Sequence, residues 1–247
     1  MVSGIEEQTV VRSAFDKNLM EPLPEAKNIR IRFRKTGKLQ FISHLDLQRV
    51  MSRVLARSGV PVWFTQGFNP HPKMVFAMPL PIGVQSFCEY LDIRIDRRIT
   101  LKEIEERINS QVTDELKVSR VYIPSTKFSE IAYVGYEITV DCNGLSAYIA
   151  KKTEELLTSS PLMMKKHTKS GDKEVDITAL IKSVSAEFSE GKLIVKTVLK
   201  GGEGSLNPEM LVTAMKERLG ILADYPGKGY YSIIRTNLYF EDMREFE

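Results

Sequence analysis

The stretch Ile29-Arg30-Ile31-Arg32-Phe33-Arg34-Lys35 decides the fold of the first half of this chain. Apolar and basic side chains alternate along it, and a period of two is typical of a β-strand with one apolar and one charged face. A strand of this kind packs its apolar face against helices and leaves the other face open. We therefore expect Arg30, Arg32 and Arg34 to project from the open face of a sheet.

A helix is predicted from Leu45 to Ser58, shortly after this strand. Ser43 and Asp46 have the spacing of a capping box at its start, and Gly59 is a suitable residue to end it. Its apolar residues recur at helical spacing on one side: Leu47, Val50, Met51, Val54 and Leu55. A second helix is predicted after Thr100, which forms a similar cap with Glu103.

Short apolar runs predict the remaining strands of the first half. They are Val62–Thr65, Met74–Ala77, Glu89–Ile95 and Leu116–Ile123. If residues 62–77 form one strand that a loop interrupts, the order of elements is βαββαβ, which is the ferredoxin-like order.

The second half repeats this order with different residues. Helices are predicted at Leu145–Thr158 and from Pro208, which Asn207 caps. Strands are predicted at Tyr136–Asp141, Leu162–Lys166, Ile181–Phe188, Leu193–Leu199 and Tyr230–Phe240. The predicted fold class is therefore α+β, with tandem ferredoxin-like (βαββαβ) domains and antiparallel sheets. We predict an N-terminal tail at 1–27, a basic domain at 28–126 and a second domain at 133–243.

Charge is distributed unevenly along the chain. Residues 29–73 contain nine basic residues and one acidic residue, a local charge of +8, whereas the whole chain carries +3. The remainder must then carry −5. Such asymmetry predicts a polyanionic partner for the first domain, and RNA is the partner that we favour.

Composition predicts a cytoplasmic protein. The 247 residues include only two cysteines, Cys88 and Cys142, which do not form a disulfide framework. The first residues have neither a basic nor an apolar signal region, and no stretch is apolar over the roughly 18 residues that a membrane span needs. We expect no membrane association.

Two groups of residues are candidates for a binding site. The first would neutralise RNA phosphates and comprises Arg30, Arg32, Arg34, Lys35, Lys38, Arg49, Arg53, Arg57 and Lys73. The second would form a more specific pocket at the edge of the first domain and comprises Ser43, His44, Asp46, Gln66, Gly67, Asn69 and His71. Two prolines flank His71 and stiffen its loop, which suits the presentation of a side chain to a ligand.

The two histidines leave an enzyme open as an alternative. If His44 and His71 met at one edge, they could serve as acid and base in RNA cleavage or modification. They could also bind a metal together with Glu89 or Asp92, although we predict neither a metal nor a cofactor. No complete catalytic motif of a known enzyme class is present.

Several motifs resemble those of a bacterial radical-SAM-linked family of unknown function. The resemblance covers nearly the whole chain after the tail. It is carried by Arg32–Asp46, Ser58–Pro61, Gln66–Lys73, Pro79–Val84, Glu89–Asp92, Asp176–Ile177 and Arg235–Tyr239. Members of that family are fused to, or encoded beside, a radical-SAM protein and often lie near ribosomal and RNA-processing genes, which implies work on RNA.

The resemblance implies an accessory role. A radical-SAM enzyme needs three closely spaced cysteines for its cluster, and this chain has no such triplet. Any radical chemistry would then belong to the partner. We predict an RNA-binding accessory protein that presents RNA to a radical-SAM partner. An RNA-cleaving or RNA-modifying enzyme and a protein-interaction scaffold remain as alternatives.

Overall fold

The computed structural model describes residues 20–168, 171–202, 204–223 and 228–247, with the backbone alone at 166–168 and 172. The first half contains the strands β1 (Pro22–Lys35), β2 (Met74–Phe76), β3 (Val84–Arg97) and β4 (Val118–Tyr122) and the helices α1 (His44–Ser58) and α2 (Leu101–Asn109). β1 begins at Pro22, so the predicted boundary of the tail at residue 27 falls inside a strand. Residues 1–19 of that tail lie outside the described residues.

The alternating stretch forms β1 as predicted, because its apolar residues enter a core. β1 pairs antiparallel with β3, and Ile29 and Ile31 lie opposite Ile93 and Leu91. All four side chains are buried. They pack against the apolar sides of α1 and α2, so the predicted helical layer lies on this face.

Side-chain caps start both helices of the first half. The Ser43 hydroxyl accepts from the Asp46 backbone N–H at 3.1 Å, and Thr100 caps α2 through the Glu103 N–H. Gly59 caps the end of α1, and its φ of 63° is left-handed and favours glycine. Among the described residues, no helix is long and apolar enough to cross a membrane.

The predicted strand Val62–Thr65 is reduced to two isolated bridges, Val62 to Ile95 and Phe64 to Pro72. β2 is correspondingly short, and it pairs with β3. The strand order of the first half is β4-β1-β3-β2.

The second half repeats this arrangement. It contains β5 (Tyr133–Asp141), α3 (Ala147–Thr158), β6 (Met163–Thr168), β7 (Gly171–Asp176), β8 (Ile181–Ser189), β9 (Lys192–Lys200), α4 (Glu209–Leu219) and β10 (Tyr230–Tyr239). The strand order is β10-β5-β9-β8. The predicted strand Leu162–Lys166 lies largely in β6, which pairs with β7 in a separate hairpin instead of joining the sheet.

The two halves share one sheet of eight strands, which corrects the prediction of separate antiparallel sheets. β10 pairs with the start of β3 in parallel, with Ile233 opposite Val84. The other end of the same β3 edge pairs with β2. β3 therefore connects the two halves, and the sheet is mixed, although mostly antiparallel.

Helices cover opposite faces of this sheet in the two halves. On β3, Leu91 and Ile93 belong to the core with α1 and α2, whereas Val84, Cys88 and Tyr90 belong to the core with α3 and α4. Alternate residues of a strand point to opposite faces, so the second core lies on the face opposite α1. This is also the face of Arg30 and Arg32.

Both cysteines are free thiols. Cys88 is fully buried beside Ser86, and burial raises its pKa to about 12. A thiol of this kind stays protonated at neutral pH and behaves as a small apolar residue.

Candidate functional site

Three arginines form a line on the exposed side of α1. Arg49, Arg53 and Arg57 recur every fourth residue, and all three are exposed because the opposite side of α1 carries the buried residues. Arg49 forms an ion pair with Asp46 at 3.2 Å, and both partners are well exposed. Within the described part of the chain, Arg53 and Arg57 have no ion-pair partner. We call these three residues the arginine line.

Lys38 and Lys73 are exposed as predicted. Lys38 lies in the short 3-10 helix Gly37–Phe41 that precedes α1, and Lys73 immediately precedes β2. Both are thus available to an anionic partner.

Arg30 does not project into solvent, and the prediction of its exposure is wrong. Only 1% of the residue is exposed. Its Nε and Nη2 donate to the two carboxylate oxygens of Asp92 at 2.7 and 2.9 Å, and Nη1 donates to Thr126 Oγ1 at 2.8 Å. Its guanidinium also lies 4.2 Å from the centre of the Phe128 ring. Arg30 is therefore an internal cation whose hydrogen-bonding capacity is used within the fold.

The neighbouring basic residues of β1 are also engaged. Arg32 is half-buried 5.9 Å from the ring centre of Tyr90, and Arg34 forms an ion pair with Asp114 at 3.3 Å. Lys35, a candidate phosphate-binding residue, is only 1% exposed and therefore out of reach of an RNA phosphate. Arg30 and Lys35 are thus buried and not open to a phosphate, whereas Arg32 and Arg34 are only partly buried.

The C-terminal residues cover the face of the sheet that was expected to be open. Phe246 is buried edge-on against Tyr90, whose hydroxyl donates to the Phe246 carbonyl at 2.8 Å. Glu247 forms an ion pair with Arg120 at 2.9 Å. No local pattern near β1 could have revealed this cover, because it comes from the opposite end of the chain.

Ser43, His44 and Asp46 belong to the start of α1. The Ser43 hydroxyl donates to the Asp46 carboxylate at 2.6 Å, and this bond lowers the pKa of Asp46. Nε2 of His44 lies 3.0 Å from the side-chain amide nitrogen of Gln48. The His44 ring packs edge-on against the Phe76 ring, with 5.1 Å between the two ring centres. These contacts account for all three residues as parts of the helix cap and its packing.

His71 lies in an exposed loop with its own partners. Its Nδ1 is 3.0 Å from the Asn69 carbonyl and 3.3 Å from Thr65 Oγ1. Among the described residues, no hydrogen bond or ring contact joins His71 to His44. Gln66, Gly67 and Asn69 are exposed in the same loop. The predicted pocket is therefore divided between a helix cap and this loop.

The carboxylates that could have joined the histidines are used elsewhere. Asp92 binds Arg30, and Glu89 binds Arg235 at 2.9 Å. In the described part of the chain, no three side chains of His, Cys, Asp or Glu are grouped so that they could hold a metal ion.

Sequence reasoning missed a buried charged cluster at the junction of the two halves. Arg235, Glu89 and Lys35 are each 4% exposed or less. Arg235 is the last residue of β10 that pairs with β3, and it also donates to the carbonyls of Met78 and Pro79 at 3.2 and 3.3 Å. All three charged residues occur in the motifs noted above, but nothing local to any one of them indicates the others.

Lys35 carries a buried charge and has no direct ion pair with any residue that the structure describes. Its Nζ donates to the Ile42 carbonyl at 3.3 Å, and burial lowers its pKa. The folded state thus releases the proton at lower pH than the unfolded state, whose lysine pKa is about 10.4. The free-energy cost of burying the charged Lys35 is fully present below the pKa of the folded state. It disappears as the pH rises towards the pKa of the unfolded state.

We therefore expect the free energy of unfolding of the wild type to rise relative to that of Lys35→Met between pH 7 and about 10. Urea unfolding at several pH values measures this difference. Lys38→Met, at an exposed lysine, controls for the loss of a lysine as such. Parallel curves for the wild type and Lys35→Met would contradict the expectation.

Residues 28–208 match the model of one protein family. This range contains the arginine line and most of the buried charged cluster. The chain belongs to the DUF2344 family. The description of this family is "uncharacterized protein conserved in bacteria". No curated protein matches the chain.

Two solved structures with a distant resemblance to this DUF2344 protein are the following. A chain of a Cbf5-Nop10-Gar1 complex is 9% identical with a TM-score of 0.44, over 90% of this chain and 56% of that one. This chain thus spans little more than half the length of that structure. An unknown protein from Galdieria sulphuraria is 10% identical with a TM-score of 0.24, over 85% of this chain and 99% of that one.

Proposed function

We propose that this DUF2344 protein is an RNA-binding accessory protein that contacts RNA through the arginine line of α1. The observation that carries the proposal is the exposure of Arg49, Arg53 and Arg57 in one line, with a single exposed ion pair at Arg49. Cations spaced along a helix can neutralise successive phosphates of a nucleic acid backbone. The proposed surface lies on the outer side of α1, because Arg30 and Lys35 of β1 are buried.

The absence of nearby acids in the sequence supports a polyanionic ligand. Residues 47–88 contain no aspartate and no glutamate. Lys38 and Lys73 add exposed positive charge before and after α1. The field over this part of the molecule therefore attracts anions and steers them towards it.

We also propose a ferredoxin-like fold for each half of the chain and a radical-SAM protein as its partner. The order β4-β1-β3-β2 in the first half and β10-β5-β9-β8 in the second supports two ferredoxin-like units that share one sheet. The radical-SAM partner and the cytoplasmic location rest on sequence motifs and composition. In this proposal the chain binds RNA and the partner performs the chemistry.

Replacing all three arginines by glutamine tests the proposal. We expect Arg49→Gln/Arg53→Gln/Arg57→Gln to weaken binding of single-stranded RNA about tenfold or more at low salt. The plot of log affinity against log salt concentration should become less steep. The magnitude of its negative slope should decrease by roughly two, because each lost phosphate contact reduces it by about 0.7. Fluorescence anisotropy across a salt series measures both quantities.

The matched control is Lys151→Gln/Lys165→Gln/Lys200→Gln, which removes the same charge from exposed sites of the second half. It should bind like the wild type if the arginine line is the site. Equal losses in both variants would mean that net charge alone matters and would contradict the proposed site. Failure of the wild type to bind RNA at low salt would end the RNA proposal.

A further inference from the structure

Residues 66–73 form an exposed loop whose tip is apolar, and we call it the Phe68 loop. The side chain of Phe68 is fully exposed, and Phe64, just before the loop, is also exposed. A phenylalanine gains free energy when its ring leaves water, and this ring gains none within the described part of the chain. An isolated exposed aromatic ring is thus available to a ligand.

Hydrogen bonds across its base order the backbone of the loop. The Thr65 N–H donates to the His71 carbonyl at 2.9 Å, and the His71 N–H donates to Thr65 Oγ1 at 3.2 Å. Gly67, just before the ring, has a φ of 144°, which favours glycine. A loop that is already ordered loses little conformational freedom when it binds.

The residues around the ring suit a nucleobase better than an apolar protein pocket. Gln66, Asn69, His71 and Lys73 are exposed in the same loop. They offer amide and imidazole groups for base edges and a cation for phosphate. Stacking of a base on an aromatic ring within a basic surface is the usual way in which proteins hold unpaired nucleotides.

The loop also continues from the helix that carries the arginine line. α1 ends at Ser58, directly after Arg57, and the chain then reaches Phe64 through a short connection. The Asp96 N–H donates to the Pro61 carbonyl at 3.1 Å, and the Trp63 N–H donates to the Arg94 carbonyl at 2.8 Å, which fix this connection on β3. β3 thus anchors the segment that joins α1 to the Phe68 loop.

We infer that the Phe68 loop stacks on an unpaired base, so that the ligand of this surface is single-stranded RNA. The inference rests on the proposed function and specifies its substrate class. A duplex keeps its bases stacked on each other and offers the ring no free face. The arginine line supplies affinity for the backbone, and Phe68 selects the unpaired strand.

The test compares Phe68→Ala with the wild type on two probes, a labelled oligouridine and the same strand annealed to oligoadenine. We expect affinity for the single strand to fall roughly five- to a hundredfold, with the salt slope unchanged because no phosphate contact is lost. Affinity for the duplex should not change. Phe68→Tyr should keep single-strand binding, and Phe188→Ala, at an exposed phenylalanine of β8, should bind both probes as the wild type does.

The outcomes separate this inference from the proposed function. If the wild type binds the single strand and Phe68→Ala binds it equally well, the stacking role is wrong, the RNA proposal stands, and the ring serves a protein partner instead. Equal losses on single strand and duplex would also overturn the inference. If the wild type binds neither probe at low salt, both proposals fail.

Discussion

Replacing Arg235 with methionine lowers the free energy of unfolding by about 3–5 kcal/mol, the usual effect of removing one partner of a buried ion pair. The substitution leaves Glu89 buried without its cation, since Arg235 Nη1 lies 2.9 Å from Glu89 Oε1 and both residues are nearly inaccessible. It also removes the donors to the carbonyls of Met78 and Pro79. Burial alone lowers the pKa of Arg235 and Glu89 raises it above the ordinary value, so the arginine stays charged at any pH of the experiment.

Urea unfolding followed by circular dichroism measures this change. Arg244→Met is the matched control, because Arg244 forms an exposed ion pair with Asp242, and its loss should cost about 1 kcal/mol at most. The double variant Arg235→Met/Glu89→Met should recover much of the stability, since no buried charge of the pair remains unpaired. A single variant as stable as Arg244→Met would show that the cluster does not stabilise the junction.

Arg30→Met is expected to lower the free energy of unfolding by about 3 kcal/mol, because it leaves the partly buried Asp92 without its bidentate partner. It also removes the hydrogen bonds to Thr126 and the contact with the Phe128 ring. RNA binding by the folded variant should match that of the wild type, because Arg30 is inaccessible. Urea unfolding and RNA anisotropy at low temperature, where the variant stays folded, measure the two effects.

Arg53→Met should show the opposite behaviour. Arg53 is exposed on α1, so its loss should change stability by no more than about 0.5 kcal/mol while it weakens RNA binding. Arg120→Met controls for an arginine on the same sheet face as Arg30, in an exposed pair with Glu247. If Arg30→Met weakened RNA binding without loss of stability, the internal role assigned to Arg30 would be wrong.

The elements that the sequence predicted well are those with strong local patterns. β1 follows from its alternation, and the starts of α1 and α2 follow from Ser43 and Thr100, because a strand period or a helix cap needs only residues close in the chain. The weakest prediction was the strand at Val62–Thr65. In this segment only isolated bridges form. A continuous strand would need a free edge of β3, and β2 and β10 already pair with that edge.

For the candidate site as well, the sequence predicted some features and left others open. Arg49, Arg53 and Arg57 were predicted to contact phosphates, and the structure leaves all three exposed. The pairing of His44 with His71 was an open question, and their contacts place one in a helix cap and the other in a loop. Distances between side chains on different elements depend on how those elements pack, which spacing along the chain does not contain.

The sequence by itself determined the mixed α+β elements, the basic first half and the apolar face of β1, because these depend on residue type and short-range period. The tertiary structure alone decided which basic residues of β1 are buried. Tyr90 and Phe246 are 156 positions apart, yet their contact covers the sheet face of Arg30 and Arg32. The single sheet also brings Arg235 to Glu89. Burial of a charge is set by every segment that packs around it, so only the folded chain could separate the structural arginines from the exposed ones.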